Sequence, residues 1–209
     1  MRPRARNRRS LSPVKRAQII HAGKTVFLAQ GFGAASVDDI AARAGVSKMT
    51  IYRHFRSKEL LFAGVIDAAC PRNIDGDLER LLLLPPKTAL PKLARKLIDI
   101  FFAKETIELH RIVIAECRRF PKLGRSFYRS GPKACTDVLE QYFRRHRRAG
   151  LAKHASPRQL AEEFLDLIRG YPHLRALLGV AKAPSRAEMR GRVDTAVRHV
   201  LDDKRVGRR

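Results

Sequence analysis

The stretch Ser36-Val-Asp-Asp-Ile-Ala-Ala-Arg-Ala-Gly-Val-Ser-Lys-Met-Thr-Ile-Tyr-Arg-His-Phe-Arg-Ser-Lys58 has the pattern of two short helices joined by a turn. Apolar side chains recur at helical spacing over residues 37–44, which buries one face of a first helix. The serine before this run is a favoured N-cap residue, and Gly45 readily takes the left-handed conformation that ends a helix. A second helix is predicted over residues 47–54, again behind a serine. The pattern indicates a helix-turn-helix, whose second helix fits a DNA major groove, with an ordinary helical hairpin as the alternative.

Several motifs within residues 12–66 resemble the DNA-binding domain of TetR-family transcriptional regulators. They are Val26-Phe27 ahead of Gly31-Phe32, Val37-Asp38-Asp39-Ile40-Ala41, Ala44-Gly45-Val46-Ser47, Ile51-Tyr52-Arg53-His54-Phe55 and Lys58-Glu59-Leu60-Leu61. A short match such as Ala-Gly-Val-Ser means little alone, but these motifs occur in the order found in the family. The resemblance implies a sequence-specific DNA-binding protein.

The residues expected to contact DNA fall into two groups. Base edges are assigned to the outward side chains of the second helix, which match the family's readout positions: Lys48, Met49, Thr50 and Arg53. Lysine or arginine can bond guanine O6 and N7, while threonine and methionine methyls can touch the thymine methyl group. Phosphates are assigned to Tyr52, His54 and Lys58, and, at a helix N-terminus, to Ser36 with the backbone amide of Val37. Ser47, which caps the second helix, completes the predicted set.

The net charge of +24 indicates a polyanionic partner. Residues 1–58 carry 13 basic and 2 acidic side chains, a net +11, and the other 151 residues carry 31 and 18, a net +13. Positive charge is therefore about twice as dense in the DNA-binding part, which favours fast and salt-sensitive binding. Charge alone would also fit RNA or anionic lipid, and it is the helix-turn-helix that narrows the choice to duplex DNA.

The N-terminal residues 1–12 are predicted to form a basic, disordered arm. They hold five arginines and no acidic side chain. Such a segment buries too little apolar surface to order itself in solution. Two interpretations stay open: a solvated tail, or an arm that follows phosphates or enters a minor groove.

Length and composition limit the remaining classes of protein. A chain of 209 residues with a hydrophobic fraction of 44% has room for a helix-turn-helix domain, placed at 13–57, and a larger domain, placed at 58–205. No apolar run is long enough to span a membrane, and the N-terminus lacks the apolar core of a signal peptide, so a cytoplasmic protein is expected. The three cysteines are far apart and fit no zinc or disulfide pattern, which favours buried thiols over a redox sensor.

Enzymatic function is not expected. The sequence contains no Walker loop, no Gly-x-Ser-x-Gly elbow, no His-Glu-x-x-His and no clustered Cys/His set. Glu162 and Glu163 are adjacent on a predicted helix and so point about 100° apart, a poor arrangement for acid/base catalysis. We therefore expect no catalytic residues, no cofactor and no metal site.

Beyond residue 58 the periodicity is helical throughout, so the predicted fold class is all-α. An entry helix is expected at 14–30, and the later helices at 58–70, 75–83, 88–103, 105–120, 123–129, 132–149, 157–178 and 186–203. Pro172 lies inside the 157–178 pattern, where it removes a helical hydrogen bond and should kink the helix.

The larger domain has a resemblance of its own, over about residues 80–203. The run from Leu109 to Tyr128, the following Gly131-Pro132 and the run from Phe164 to Leu178 resemble the C-terminal domain of AefR-like TetR repressors. The resemblance implies a homodimer with an effector cavity in each subunit. Helix 157–178, apolar nearly all round, and the apolar stripe of helix 186–203 support a four-helix dimer interface, although both could pack within one subunit.

A ligand site is predicted among the aromatic side chains of the larger domain. The assigned residues are Phe101, His110, Phe120, Phe127, Tyr128, Phe164, Ile168 and Tyr171. An apolar pocket with a few polar anchors is typical of small-molecule sites, but an aromatic stripe at helical spacing forms core more often than pocket. The combined prediction is a dimeric, sequence-specific repressor that binds a palindromic operator and is released by a small molecule. The alternative is a non-specific, basic DNA-compacting protein.

Overall fold

The computed structural model describes residues 12–68, 76–181 and 184–201. Within these ranges the fold is all-α, as predicted, and the one β contact is an isolated antiparallel bridge between Leu151 and Leu201. Most of the predicted N-terminal arm, Cys70 and the chain after residue 201 lie outside the described residues. No helix in the described ranges is long and apolar enough to cross a membrane.

The helices follow one another along the chain with short connections. They are α1 (Pro13–Ala34), α2 (Val37–Ala44), α3 (Lys48–Phe55), α4 (Lys58–Ala68), α5 (Gly76–Leu81), α6 (Pro86–Phe101), α7 (Lys104–Glu116), α8 (Pro121–Tyr128), α9 (Ala134–Arg145), α10 (Pro157–Leu178) and α11 (Arg186–Val200), with a π-helical turn at Arg129–Lys133 between α8 and α9. Pro121, which follows the predicted helix 105–120, occupies the first turn of α8, where its missing N–H costs nothing.

The chain folds as two compact units, the first ending at Val65 and the second beginning at Ile66. The sequence-based boundary lies eight residues earlier, after residue 57. The difference arises because the first half of α4 belongs to the core of the first unit: Leu61 and Phe62 are both 0% exposed. A helix that continues across the boundary gives no compositional signal of where one core stops and the next begins.

Three phenylalanines form the centre of the first unit. The ring centroids of Phe27 and Phe32 lie 5.7 Å apart, and those of Phe27 and Phe62 lie 5.0 Å apart in an edge-to-face arrangement. Aromatic pairs of this geometry contribute about 0.5–1.5 kcal/mol beyond the area that they bury. Since Phe62 comes from α4, the helix-turn-helix is stabilised by a helix that follows it in sequence.

The core of the second unit lies between α6, α9, α10 and α11. The buried side chains of α6 recur at helical spacing (Leu90, Leu93, Leu97 and Phe101) and pack with Phe143 and Phe164 from α9 and α10. The α11 stripe of Val193, Ala196 and Val200 is buried in the same core, so this stripe packs within its own unit.

The predicted kink in α10 is present, and the break in the helix lies at Gly170, two residues before Pro172. Gly170 has φ 44° and ψ −154°, a conformation reached almost only by glycine. In a regular helix the N–H of residue 172 would donate a hydrogen bond to the carbonyl of Ile168. Pro172 has no N–H, so it cannot make this bond. The guanidinium of Arg192 on α11 donates to that carbonyl at 3.2 Å instead. Arg192 therefore supplies the donor that the Ile168 carbonyl lacks because of the proline.

Candidate DNA-binding surface and effector cavity

The local sequence fixes the shape of the helix-turn-helix. The side chain of Ser36 accepts a hydrogen bond from the Asp39 amide at 3.0 Å, and Ser47 accepts one from the Thr50 amide at 3.2 Å. Gly45 ends α2 in the left-handed conformation, with φ 63°. Ile40 and Ile51 are buried, which turns the opposite face of α3 outward.

The outward face of α3 carries most of the residues assigned to DNA. Met49 is 68% exposed and Tyr52 39% exposed, while Lys48 and Arg53 are also exposed. Thr50 is half-buried, and its hydroxyl lies 2.9 Å from the Ser47 hydroxyl. The structure thus brings the predicted readout residues to one surface, with Thr50 at its edge.

Lys48 is held by a carboxylate of the preceding helix. Its ammonium donates to Asp38 at 2.8 Å, and both side chains are more than half exposed. This hydrogen bond raises the pKa of Lys48, so the group is fully charged near pH 7. An acidic side chain therefore lies beside a lysine assigned to base readout, and DNA must compete with it.

Replacing Asp38 with asparagine is expected to strengthen DNA binding. The change frees Lys48 and removes a negative charge from the DNA-facing surface, so we expect roughly three- to ten-fold tighter binding. The salt slope should change by less than the roughly 0.9 of one phosphate contact, because Lys48 is assigned to a base edge. Binding titrations on one DNA duplex at several salt concentrations measure both quantities. Asp39→Asn is the matched control because it removes the same charge without freeing Lys48, and it should give a smaller gain. A loss of affinity in Asp38→Asn would instead show that the ion pair is part of the bound surface.

His54 is poorly suited to act as a cation for phosphate. Its Nδ1 atom is buried and has no hydrogen-bond partner among the described residues. Burial, followed by the nearby positive charge of Arg16, holds the pKa of His54 below its ordinary value, so the ring is neutral near pH 7. A neutral imidazole can still donate one hydrogen bond to a phosphate, which is the role that remains for it.

Lys58 has a structural role that the sequence did not reveal. Its ammonium donates to the main-chain carbonyls of Phe32 at 2.7 Å, Ala35 at 2.9 Å and Gly33 at 3.3 Å. It also lies 4.6 Å from the centroid of the Phe32 ring. An ammonium has three N–H donors, and three carbonyls at the end of α1 take them. A phosphate contact would require one of these hydrogen bonds to break, so we replace the phosphate assignment of Lys58 with a helix-capping one.

The second unit contains a cavity of about 60 Å³ between α6, α7, α9 and α10. Its walls are mainly apolar, with His110, Thr106 and Arg169 as the polar groups; the other lining residues are Ile66, Ile100, Phe101, Leu109, Phe127, Gly131, Pro132, Cys135 and Leu165. Three of the eight residues assigned to a ligand site, Phe101, His110 and Phe127, are therefore on the cavity wall.

The other five assigned residues lie elsewhere, and the ligand-site assignment is corrected accordingly. Phe164 and Ile168 are 0% exposed and belong to the core of the second unit. Phe120 lies at the N-terminus of α8, with the Arg119 guanidinium 5.3 Å from its ring centroid. Tyr128 is 57% exposed and Tyr171 is 80% exposed, so both face solvent. Aromatic character alone did not distinguish core, cavity and surface, because helix phase decides which of the three a side chain reaches.

Two half-buried histidines form a pair, and one of them, His110, lines the cavity. His110 Nδ1 lies 3.2 Å from His173 Nε2, and the His110 ring packs edge-to-face on Phe127 with centroids 4.9 Å apart. Burial is the main reason that the pKa of each histidine falls to about 4, and the neighbouring Arg169 lowers both further. Both rings are therefore neutral near pH 7.

The histidine pair predicts a loss of stability in mild acid. The unfolded chain takes up protons near the ordinary pKa of 6.5, whereas folded His110 stays neutral until about pH 4. The free energy of unfolding should therefore fall as the pH drops from 6.5 towards 4. Between pH 6.5 and 4.5, the free energy of unfolding of His110→Gln should fall by about 2 kcal/mol less than that of the wild type, because each pKa unit corresponds to about 1.36 kcal/mol. Urea unfolding across this pH range measures the difference. His21→Gln, which replaces an exposed histidine, is the control. Equal pH dependence in wild type and His110→Gln would contradict the assignment.

A recognition helix exposed on one unit, in a chain whose other unit encloses an apolar cavity, defines a helix-turn-helix DNA-binding regulator. The chain belongs to the TetR family of transcriptional regulators. Residues 19–65 match the model of the bacterial regulatory proteins of the tetR family, and residues 88–203 match that of the AefR-like transcriptional repressor, C-terminal domain. Both family resemblances seen in the sequence are confirmed.

Individual relatives agree with this placement. A TetR-family regulator from Mesorhizobium loti is 29% identical, with a TM-score of 0.74, over 88% of this chain and 93% of that one. The flavonoid-responsive regulator FrrA is 35% identical, with a TM-score of 0.69, over 89% of this chain and 94% of its own. The transcriptional activator FasR of Mycolicibacterium smegmatis is 40% identical over 62 residues, which span 30% of this chain and 28% of FasR. These relatives are transcriptional regulators, which agrees with the expectation that the chain is not an enzyme.

Proposed function

We propose that the chain is a sequence-specific repressor that binds a two-fold symmetric operator as a homodimer and is released by a small-molecule effector. The observation that carries this proposal is that α4 reaches both functional parts. Its Phe62 packs in the core of the helix-turn-helix unit, and its Ile66 lines the cavity of the second unit. FasR is a transcriptional activator. We propose repression for this chain because its C-terminal domain matches the AefR-like repressors.

The coupling between cavity and DNA runs through Ile66. Small-molecule sites usually measure about 300–1,000 Å³, so a typical effector must widen the cavity of about 60 Å³. The Ile66 Cγ2 atom lies 3.8 Å from the position that a Cβ of Gly131 would take, in the π-helical turn of the opposite wall. An effector that separates these walls displaces Ile66 and with it α4. Half-sites on one face of DNA lie about 34 Å apart, so shifts of a few ångströms in two subunits spoil simultaneous docking.

The cavity walls favour an aromatic effector with a hydroxyl or acidic group. Phe101 and Phe127 supply apolar surface, and neutral His110 can donate or accept one hydrogen bond. The Arg169 guanidinium lies 5.4 Å from the Phe101 ring centroid and offers a positive charge at the wall. FrrA, 35% identical, is described as flavonoid-responsive, which makes polyphenols the first compounds to test.

Dimerisation is supported by apolar side chains at the end of α10. Leu174 is 48% exposed and Leu178 67% exposed, and Val180 just beyond the helix is 71% exposed. Tyr171, on the same segment, is the most exposed at 80%. A cluster of exposed apolar side chains of this kind marks a protein interface. We assign it to the second subunit because two recognition helices are needed to read two half-sites.

Footprinting on DNA flanking the protein's own gene, followed by binding titrations with specific and random competitor duplexes, tests the proposal. A repressor should prefer one palindrome by at least about 1,000-fold. Equal competition by random DNA would favour the DNA-compacting alternative.

Candidate effectors are then titrated against the operator complex, and Phe127→Ala should weaken the response to each active compound. Unchanged potency in that variant would place the effector site elsewhere.

The division of DNA contacts is tested with a library of operator variants. Thr50→Ala is expected to change base preference, whereas Tyr52→Phe should weaken all sequences alike. The reverse pattern would show that the two roles are exchanged.

Deleting residues 2–9 removes five arginines, and the salt slope should shrink by about 0.9 for each one that contacts a phosphate. An unchanged slope would identify the segment as a solvated tail.

A further inference from the structure

Two imidazoles and one carboxylate converge on the surface of the second unit, away from the cavity residues. His199 Nε2 lies 2.7 Å from Glu163 Oε2, and His154 Nε2 lies 3.4 Å from the same oxygen. One potential ligand atom from each side chain lies within 4.8 Å of those from the other two. The three residues belong to three different elements: the loop after α9, α10 and α11.

Main-chain hydrogen bonds hold two of these elements together, the loop after α9 and α11. The isolated bridge pairs Leu151 with Leu201, and the Ala152 amide donates to the Val200 carbonyl at 2.8 Å. Two residues further along the loop, His154 reaches His199, and the two ring centroids lie 5.2 Å apart. The loop is thus fixed against the end of α11 by main-chain hydrogen bonds that do not depend on the histidines.

We propose that His154, Glu163 and His199 form a binding site for a divalent transition-metal ion of the zinc type. Imidazole nitrogen and carboxylate oxygen are ligands that Zn²⁺ takes at about 2.0–2.2 Å, and donors around a tetrahedral ion then lie about 3.4 Å apart. The two separations from Glu163 Oε2 are 2.7 and 3.4 Å, and all three potential ligand atoms lie within 4.8 Å of one another. All three side chains keep more than a third of their surface exposed, so they are free to make the shift of about an ångström that bringing every pair to this separation requires. Water fills the fourth position.

The shared oxygen distinguishes this cluster from a simple surface ion pair. An ion pair needs one imidazole and one carboxylate, whereas here two Nε2 atoms approach a single carboxylate oxygen. A metal ion satisfies both nitrogens and the oxygen at once. The proposed site goes beyond the regulatory function and is independent of it, because it uses neither α3 nor the cavity. It would tie the loop after α9 to α10 and α11.

Titration of the full chain with Co²⁺ and Zn²⁺ tests the site. We expect one Co²⁺ per chain with the visible absorption of a four-coordinate nitrogen and oxygen site, displaced by Zn²⁺. His154→Ala and His199→Gln should each weaken metal affinity by about ten-fold or more. His21→Ala is the matched control because His21 is an exposed histidine of the first unit, and its affinity should equal that of wild type.

Three results would overturn the proposal. They are an absence of stoichiometric binding in wild type, equal affinity in wild type and His154→Ala, and a thiolate-to-cobalt charge-transfer band that places the ion on a cysteine. Circular dichroism checks that each variant is folded. If His199→Gln unfolds, His154→Ala still decides the question, because His154 lies on an exposed loop whose backbone bonds are unaffected. Loss of metal binding with DNA binding intact keeps this test separate from that of the repressor function.

Discussion

Replacing Lys58 with methionine is expected to lower the free energy of unfolding of the helix-turn-helix unit by about 3 kcal/mol. The substitution keeps the aliphatic stem and removes the ammonium, so its hydrogen bonds to the carbonyls of Phe32 and Ala35 are lost. Hydrogen bonds to charged groups contribute about 1.5–3 kcal/mol, and a partly buried acceptor left unpaired costs about 1–3 kcal/mol. Hydrogen exchange of α1 and α3 amides in the full chain, with urea unfolding, measures the loss.

The control separates capping from a phosphate contact. Lys15→Met removes the same charge from an exposed position of α1 and should leave stability within about 0.5 kcal/mol of wild type. If Lys58 instead served DNA, Lys58→Met would remain as stable as wild type and the salt slope of operator binding would fall by about 0.9. That combination would restore the phosphate assignment made from the sequence.

The second large effect is expected at the kink of α10, where Gly170→Ala should destabilise the second unit by about 2–6 kcal/mol. The backbone conformation at this position costs a non-glycine residue about 1–3 kcal/mol. The added Cβ would also collide with the Arg192 guanidinium and drive it off the Ile168 carbonyl. Losing that hydrogen bond adds about 1–3 kcal/mol. Thermal and urea unfolding give the total.

A double-mutant cycle divides this cost between its two causes. In an Arg192→Ala background the collision is absent, so Gly170→Ala should cost only the backbone strain, and the two substitutions should be non-additive by about 1–3 kcal/mol. Gly191→Ala, on α11 next to Arg192 and with open space at its Cβ, is the control for a glycine-to-alanine change in a regular helix and should be neutral or stabilising. If the destabilisation by the two substitutions adds up within about 0.5 kcal/mol, the hydrogen bond from Arg192 does not depend on the space at Gly170.

The parts of this protein that sequence reasoning predicted well are governed by local rules. The predicted helix over 37–44 matches α2, and the capping serines and Gly45 act as expected. Caps, turn glycines and apolar periodicity involve residues three or four positions apart, so one sequence contains all the information needed. The kink in α10 was foreseen for the same reason, because the missing N–H belongs to Pro172 itself, although the break lies two residues earlier at Gly170.

The features that escaped prediction depend on residues that are distant in sequence. Lys58 bonds to a carbonyl 26 residues away, and His199 reaches a carboxylate 36 residues away. Wall residues of the cavity such as Ile66 and Cys135 resemble any half-buried apolar side chain until four helices are placed around them. Tyr171 shows the converse error: the sequence assigned it to a ligand site, and it lies 80% exposed directly after the break at Gly170.

The contribution of α4 to the first unit limits how regulators of this kind can exchange parts. A chimera joined after residue 57 would take Leu61 and Phe62 from a foreign chain, and the aromatic cluster around Phe27 would meet side chains that it was not selected to pack against. A junction after Val65 transplants that cluster whole. Recombination between such genes therefore yields working hybrids most readily when the crossover falls within the coding sequence of a helix, not in that of a loop.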